Sequence, residues 1–256
     1  VKYMAYVLLK ALTKSAHLIH HVLRVTMTLS KLTTAALITV LTLSTSGCII
    51  HVGGQDNHDN NKNDFSSVFG GVDVSENKQV GDLSSVNGNI TIQDNVNASD
   101  VNAINGNIEI GNNVKVHELS TVNGDIQTQT YLSVKRDIST VNGNITLGTN
   151  SMVGKDITTV NGDISLTQTF VSDDIKTKNG NITLVEGSVV EGDIEFESKY
   201  DGGWWSDTSL EHSPPVLTID GTSDVKGKII LRQIVVLNIE NPSLLAKVEH
   251  SYRNQE

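Results

Sequence analysis

Polar and apolar positions alternate in short runs along the middle of the chain. Asn144-Ile145-Thr146-Leu147 is typical: every second residue is apolar, the signature of a strand with one buried face. The runs recur on a fixed plan. One unit carries Leu119, Val122, Ile126 and Leu132, and the next carries Ile138, Val141, Ile145, Leu147 and Met152. A phrase Val-Asn-Gly-(Asn/Asp)-Ile marks each unit at Val86–Ile90, Val122–Ile126, Val141–Ile145 and Val160–Ile164, with variants at Ile104–Ile108 and Lys178–Ile182. Successive phrase glycines lie 18, 18, 19, 19 and 18 residues apart. Just upstream of each phrase sits an acid followed by an apolar residue, from Asp64-Phe65 to Asp193-Ile194, which gives eight rungs over residues 64–198. A short fixed period means one supersecondary unit copied and stacked.

Asn-Gly between apolar runs is also the strongest hairpin signal. A hairpin meander, however, would vary its turns and strand lengths, whereas here the same corner returns each time. The pattern predicts an all-β, single-stranded parallel β-helix of 18–19 residues per rung and 8–9 rungs. At ~4.8 Å per rung this is a rod roughly 40 Å long. The general crossover rule favours right-handed coiling. A left-handed hexapeptide helix would place an aliphatic residue every six positions, and the spacing of 138, 145, 152 and 157 drifts from that. The interior is expected to be a narrow column of Ile, Val and Leu, and the phrase glycine is expected at a positive-φ corner.

Identical residues stack in such a rod. The corner residues Asn87, Gly88, Asn105, Gly106, Asn123, Gly124, Asn142, Gly143, Asn161, Gly162, Asn179 and Gly180 should form a structural ladder of side-chain amides. The position after glycine reads Asn89, Asn107, Asp125, Asn144, Asp163, Asn181, with no two Asp adjacent, as expected if like charges one rung apart are avoided. The upstream column is eight acids in file. Carboxylates capping turns at a solvated corner, with Arg136 and Lys155 relieving repulsion, account for it. A cation-binding stripe is the alternative, but calcium needs several converging oxygens, and no metal or cofactor is expected.

The front of the chain reads as an address. Residues 1–26 resemble an over-extended start. Residues 27–47 carry a basic Lys31, an apolar core from Leu32 to Leu43 and a small-residue stretch, a secretory signal too short for a spanning helix. It ends Thr45-Ser46-Gly47-Cys48, similar to a bacterial lipobox except for Thr where Leu is usual. Cys48 is the single cysteine, so it is the expected lipid attachment residue and the membrane contact. Ile49 follows, with no Asp retention signal, which points to the outer membrane of a Gram-negative host, facing periplasm or surface. Residues 48–63 read as a polar tether, whose His51, His58, Asp56 and Asp59 have no fixed geometry for a metal. The first 47 residues hold 5 Lys and Arg and no acid. The remainder holds 14 against 29 acids, a net charge of −15 that excludes nucleic-acid binding through bulk electrostatics.

The repeat breaks at 197–215, where an insertion replaces the expected corner. It carries Tyr200 and both tryptophans, Trp204 and Trp205, candidates for contact with a glycan, the cell wall or a partner. The alternative is that these rings shield the rod itself. The solenoid resumes through residue 240, and 241–256 reads as a C-terminal cap or tail, with a short helix starting at Asn241-Pro242.

Val-Glu-Gly-Asp-Ile-Glu-Phe (190–196), Val-Lys-Gly-Lys-Ile-Ile-Leu (225–231) and the repeated Val-Asn-Gly-Asp-Ile resemble bacterial lipoprotein-type β-helix proteins grouped as adhesins. They also look like the bactofilins, polymer-forming cytoskeletal β-helices. The resemblance implies self-association through the rod ends. The export signal and the Trp-bearing loop depart from the cytoplasmic bactofilins. A polysaccharide-acting β-helix would cluster Arg and Lys with its acids on one face. Only Arg136, Arg232 and Arg253 follow Cys48, and His117 and His212 have no evident nucleophile. The expected function is therefore non-enzymatic, with carbohydrate binding through the Trp204-Trp205 loop as the alternative.

Overall fold

A computed structural model describes residues 50–52, 63–198 and 213–251. They form a parallel β-solenoid with three faces. Face A is a ten-stranded sheet, face B another of ten strands, and face C a sheet of six. One turn of the chain runs from Ile126–Thr128 on face A, through Ser133–Val134 on face C, to Ile138–Ser139 on face B. It then crosses the Asn-Gly corner to Ile145–Leu147 on face A of the next rung. Equivalent positions stack: Ile126 pairs with Ile108 on one side and Ile145 on the other. The period in the sequence is thus the register of the sheet, and a slip of one residue would turn every inward side chain out.

The ten-stranded faces make about ten turns where the repeated phrase predicts eight or nine. The additional strands lie beyond the phrases. Ile50–Val52 pairs with Val72–Val74, so a strand lies within the stretch read as tether. At the other end a 3₁₀ helix, Pro242–Lys247, leads into Val248–His250, which pairs with Ile229–Leu231. Asn241 caps that helix by accepting the Ser243 N–H at 3.1 Å, and Pro242 costs nothing at a position with no intrahelical N–H partner. The helix lays Leu244 over the end of the core, fully buried.

The interior is a column of aliphatic residues. Ile90, Ile108, Ile126, Ile145, Ile164 and Ile182 line face A at 0% exposure, and Leu83, Val101, Leu119, Ile138, Ile157 and Ile175 line face B likewise. Val122, Val141 and Met152 do not join them. The valines are half-buried on the outside and Met152 is exposed. Strand parity decides this. With Leu119 inside, Thr121 must also face in and Val122 out. The inward hydroxyls are satisfied across rungs: the Oγ1 atoms of Thr121, Thr140 and Thr159 donate to the carbonyls of Gly106, Gly124 and Gly143 at 3.1, 3.2 and 3.2 Å.

The corner glycines also have a different cause from the expected one. Among the described residues, positive φ in glycine occurs at Gly70 and Gly187, not at the Asn-Gly corners. What the corner requires is room. A Cβ on Gly106 or Gly124 would lie 2.1 Å from the carbonyl oxygen of the preceding corner glycine, and on Gly180 1.7 Å. The left-handed residues sit instead at the turn from face A to face C, once per rung: Asn77, Asn95, Asn113, Tyr131, Asn150, Gln168 and Glu186, with φ between 47 and 61°. Asn is the residue best suited to that region after glycine.

Candidate functional site

Three of the polar columns along the rod stand out in the sequence, and their hydrogen bonds say what each does. The corner amides form a continuous ladder. Asn105 donates through Nδ2 to Asn87 Oδ1 at 3.0 Å, Asn123 to Asn105 at 2.8, Asn142 to Asn123 at 2.8, Asn161 to Asn142 at 2.7 and Asn179 to Asn161 at 2.7. In the column after glycine, each side-chain oxygen accepts the backbone N–H of the next rung. Asn89 holds Asn107, Asn107 holds Asp125, Asp125 holds Asn144, Asn144 holds Asp163 and Asp163 holds Asn181, at 2.7–2.9 Å.

The acid column works in the same way. Asp64 accepts the N–H of Asp82, Asp82 that of Asp100, Asp137 that of Asp156, Asp156 that of Asp174, Asp174 that of Asp193 and Asp193 that of Lys228, at 2.7–3.2 Å. These carboxylates cap the following rung. One oxygen of each is committed, and the accumulated charge is offset by nearby cations. Arg136 lies 3.6 Å from Glu118 and 3.9 Å from Asp137. The second cation on the column is Lys176 rather than Lys155, at 2.8 Å from Asp174 and 3.7 Å from Asp156. His117 Nδ1 meets Asp100 Oδ1 at 2.8 Å.

Electrostatics differ along this column. Burial pushes the Glu118 carboxyl up, Arg136 opposes that, and Asp100 and Asp137 reinforce it. Burial also acts to raise Asp174, but Lys176 and the Asp193 N–H outweigh it and hold that carboxyl below the ordinary range. Asp156, Asp173 and Asp174 bring three carboxylates within 4.8 Å of one another. Lys176 pairs with two of the three, Asp174 and Asp156, and Asp156 and Asp174 each cap the next rung, so these oxygens are engaged in building the rod rather than converging on a cation.

The insertion falls in the sequence where the next Asn-Gly corner would stand. Cys48, Tyr200, Trp204 and Trp205 lie outside the described residues, and the chain on either side of the insertion is held by hydrogen bonds. Asn181 Oδ1 accepts the Val216 N–H at 2.8 Å, which continues the column across the gap. Pro215 O accepts the Val236 N–H at 2.9 Å. Gln233, nearly buried, donates through Nε2 to Lys178 O at 2.6 Å and Glu197 O at 2.8 Å. Its amide fills the level from which the chain departs, joining the rung on either side. Asp220 does similar work at the next corner. It accepts from the backbone N–H groups of Glu186, Thr222 and Ser223 and from the Thr222 hydroxyl. Burial acts to raise that carboxyl, yet these bonds hold it down to about 2.

Sequence reasoning misses Gln233 and Asp220 because each occurs once. It also misses the left-handed column, although Asn77, Asn95 and Asn113 recur at the rod's own period and are readable as a second corner.

The Toastrack DUF4097 family profile matches residues 62–207, from the first full rung into the insertion. No curated protein and no solved structure matches the chain. The profile covers more than half of the sequence, and the chain belongs to the Toastrack DUF4097 family.

Proposed function

We propose that this β-solenoid is a non-enzymatic, lipid-anchored module of the bacterial cell envelope, with a structural or adhesin-like role. The observation that carries this reading is the use of the polar columns. The repeated Asn and Asp, the most conspicuous chemistry of the chain, are spent on rung-to-rung hydrogen bonds. That is the chemistry of a rigid spacer, not of a catalytic pair with opposed pKa values. The lone Cys48, behind an apolar run and ahead of the first rung, supports attachment to the outer membrane through acyl chains. Labelling cells with an alkyne-bearing fatty acid tests this. The protein should take up label, the Cys48→Ser variant should lose it, and label persisting in that variant removes the anchor from the reading.

A second reading has its own observation. Gln233 and Asn181 hold the chain at Glu197 and Val216, on either side of the insertion, which supports a reading in which that segment makes the contact. In this reading Tyr200, Trp204 and Trp205 stack on sugar rings. Glycan-array binding lost in Trp204→Ala and Trp205→Ala, with the melting temperature unchanged, selects it.

A further inference from the structure

Face B carries a repeated apolar column on its outer surface. Val68, Val86, Ile104, Val122, Val141 and Val160 occupy equivalent outward positions on six successive rungs. Val68 is 37% exposed and the other five are half-buried. Phe69, 64% exposed, stands at the first position of the amide ladder beside Val68. An outward position on a pleated sheet does not require valine. The outer column of face A shows the alternative: Asp73, Thr91, Glu109, Gln127, Thr146, Ser165, Thr183 and Thr218 are all polar, and threonine among them matches valine in β propensity. Six aliphatic residues in file on the outside of an otherwise strongly acidic rod call for a cover.

Three other columns border the stripe. On one side stand the polar residues Ser66, Ser84, Asn102, Ser120, Ser139 and Thr158, and beyond them the acid column. On the other side is the amide ladder. This order restricts what the stripe accepts. If a second copy met it with the rods antiparallel, each acid column would face the other, which is unfavourable. If the rods lie parallel, related by a two-fold axis along the stripe, the result differs. Valine meets valine on the axis, each polar column faces the partner's amide ladder, and the two acid columns fall on opposite outer flanks.

We propose that face B is a self-recognition surface, on which two copies of this chain pack side by side with parallel rods through the Val68–Val160 stripe. The dry, interdigitated contact of identical side chains follows the logic of stacked sheets. The apolar stripe ends at Lys178 and Glu197, charged residues that the two-fold would set against their own copies, so the contact stops at Val160. Six rungs at ~4.8 Å and a width of about 14 Å give roughly 400 Å² per copy. This is about half of what each partner contributes to a stable complex. The pair is therefore weak in free solution and gains from confinement. The parallel orientation is also what two chains tethered by their N-terminal ends to one membrane would have, and only this gain rests on the proposed anchor.

Disulfide trapping decides it, in the full chain carrying Cys48→Ser so that one thiol remains. A two-fold axis along the stripe sets each position against itself. Val86→Cys and Val141→Cys, on the second and fifth rungs, should each form a disulfide dimer under copper–phenanthroline oxidation at least tenfold faster than Thr146→Cys on face A. A mixture of the two, distinguished by a mass tag, should yield homodimers with little heterodimer. Heterodimers in place of homodimers mean antiparallel rods and overturn the proposal, and rates equal to that of Thr146→Cys remove the stripe as an interface. These chains lack Cys48, so the outcome is independent of the lipid anchor.

Discussion

Gly124→Ala separates two explanations of the Asn-Gly corner. If the corner needed a left-handed glycine, alanine would cost about 1 kcal/mol and asparagine less, because Asn tolerates that region. The structure gives a different cause. A Cβ on Gly124 falls 2.1 Å from Gly106 O and 2.5 Å from Gly106 C, where real Cβ atoms stay beyond 3.0 Å. The obstacle is backbone, so two rungs must part by about 0.9 Å. Among the bonds that cross that gap, the four nearest the glycine are Gly106 N–H to Asn123 O at 3.1 Å, Thr121 Oγ1 to Gly106 O at 3.1, Asn123 Nδ2 to Asn105 Oδ1 at 2.8 and Asp125 N–H to Asn107 Oδ1 at 2.9. At about 1 kcal/mol net for each, the loss is roughly 3–4 kcal/mol. Urea unfolding followed by far-UV circular dichroism measures it, with hydrogen exchange at Ile108 and Ile126 reporting whether the damage is local to the two rungs. The reasoning fails if Gly124→Asn unfolds near wild type while Gly124→Ala does not, since only a φ requirement distinguishes the two.

Tyr131 holds φ 58° with its ring 60% exposed, so Tyr131→Asn should raise stability by about 0.5–1 kcal/mol, read as a higher melting temperature. Asn142→Ala removes one donated and one accepted ladder bond at an exposed corner and should cost about 1–2 kcal/mol by the same measurement. Gln233→Ala leaves the Lys178 and Glu197 carbonyls without that donor and should cost about 2–3 kcal/mol, with faster amide exchange concentrated at residues 216–219. Asp220 is depressed in the fold, so its contribution is present above the ordinary carboxylate value of 3.8 and is lost as pH falls toward about 2. Asp220→Asn should therefore destabilise at neutral pH and converge with wild type in acid. Glu118 is raised, so the sign reverses: its contribution is present below the ordinary 4.5 and is lost as pH rises through the raised value. Glu118→Gln should match wild type near pH 4 and melt higher at neutral pH.

The fold was legible because stacking converts register into period. Ile108, Ile126 and Ile145 must coincide in space, so they recur in sequence. The amide ladder was legible for the same reason. The outer rungs were not, because Ile50–Val52 and Val248–His250 carry no Asn-Gly corner to announce them. An interior of Ile, Val and Leu holds for the isoleucines and leucines but not for Val122 and Val141, since hydrophobicity is a weaker guide than parity once Leu119 and Ile138 are fixed inside. The glycine was identified correctly as obligatory but for the wrong reason, because a sequence shows which residue is needed and not which atom stands opposite its missing Cβ.

A repeated column serves as a site only with atoms left over after the rod is built. Each capping aspartate spends one oxygen on the next rung's N–H, and Arg136, Lys176 and His117 take up part of what remains. The ladder amides spend a donor and an acceptor on one another. The inward hydroxyls of Thr121, Thr140 and Thr159 spend their proton on glycine carbonyls. Valine has no such bond to make, so its recurrence at Val122, Val141 and Val160 does nothing for rung pairing that threonine would not do as well. That leaves two kinds of place where selection for something other than folding can act. One is the apolar column the rod does not use, and the other is the corner above Asn179 where the amide ladder stops and the insertion begins.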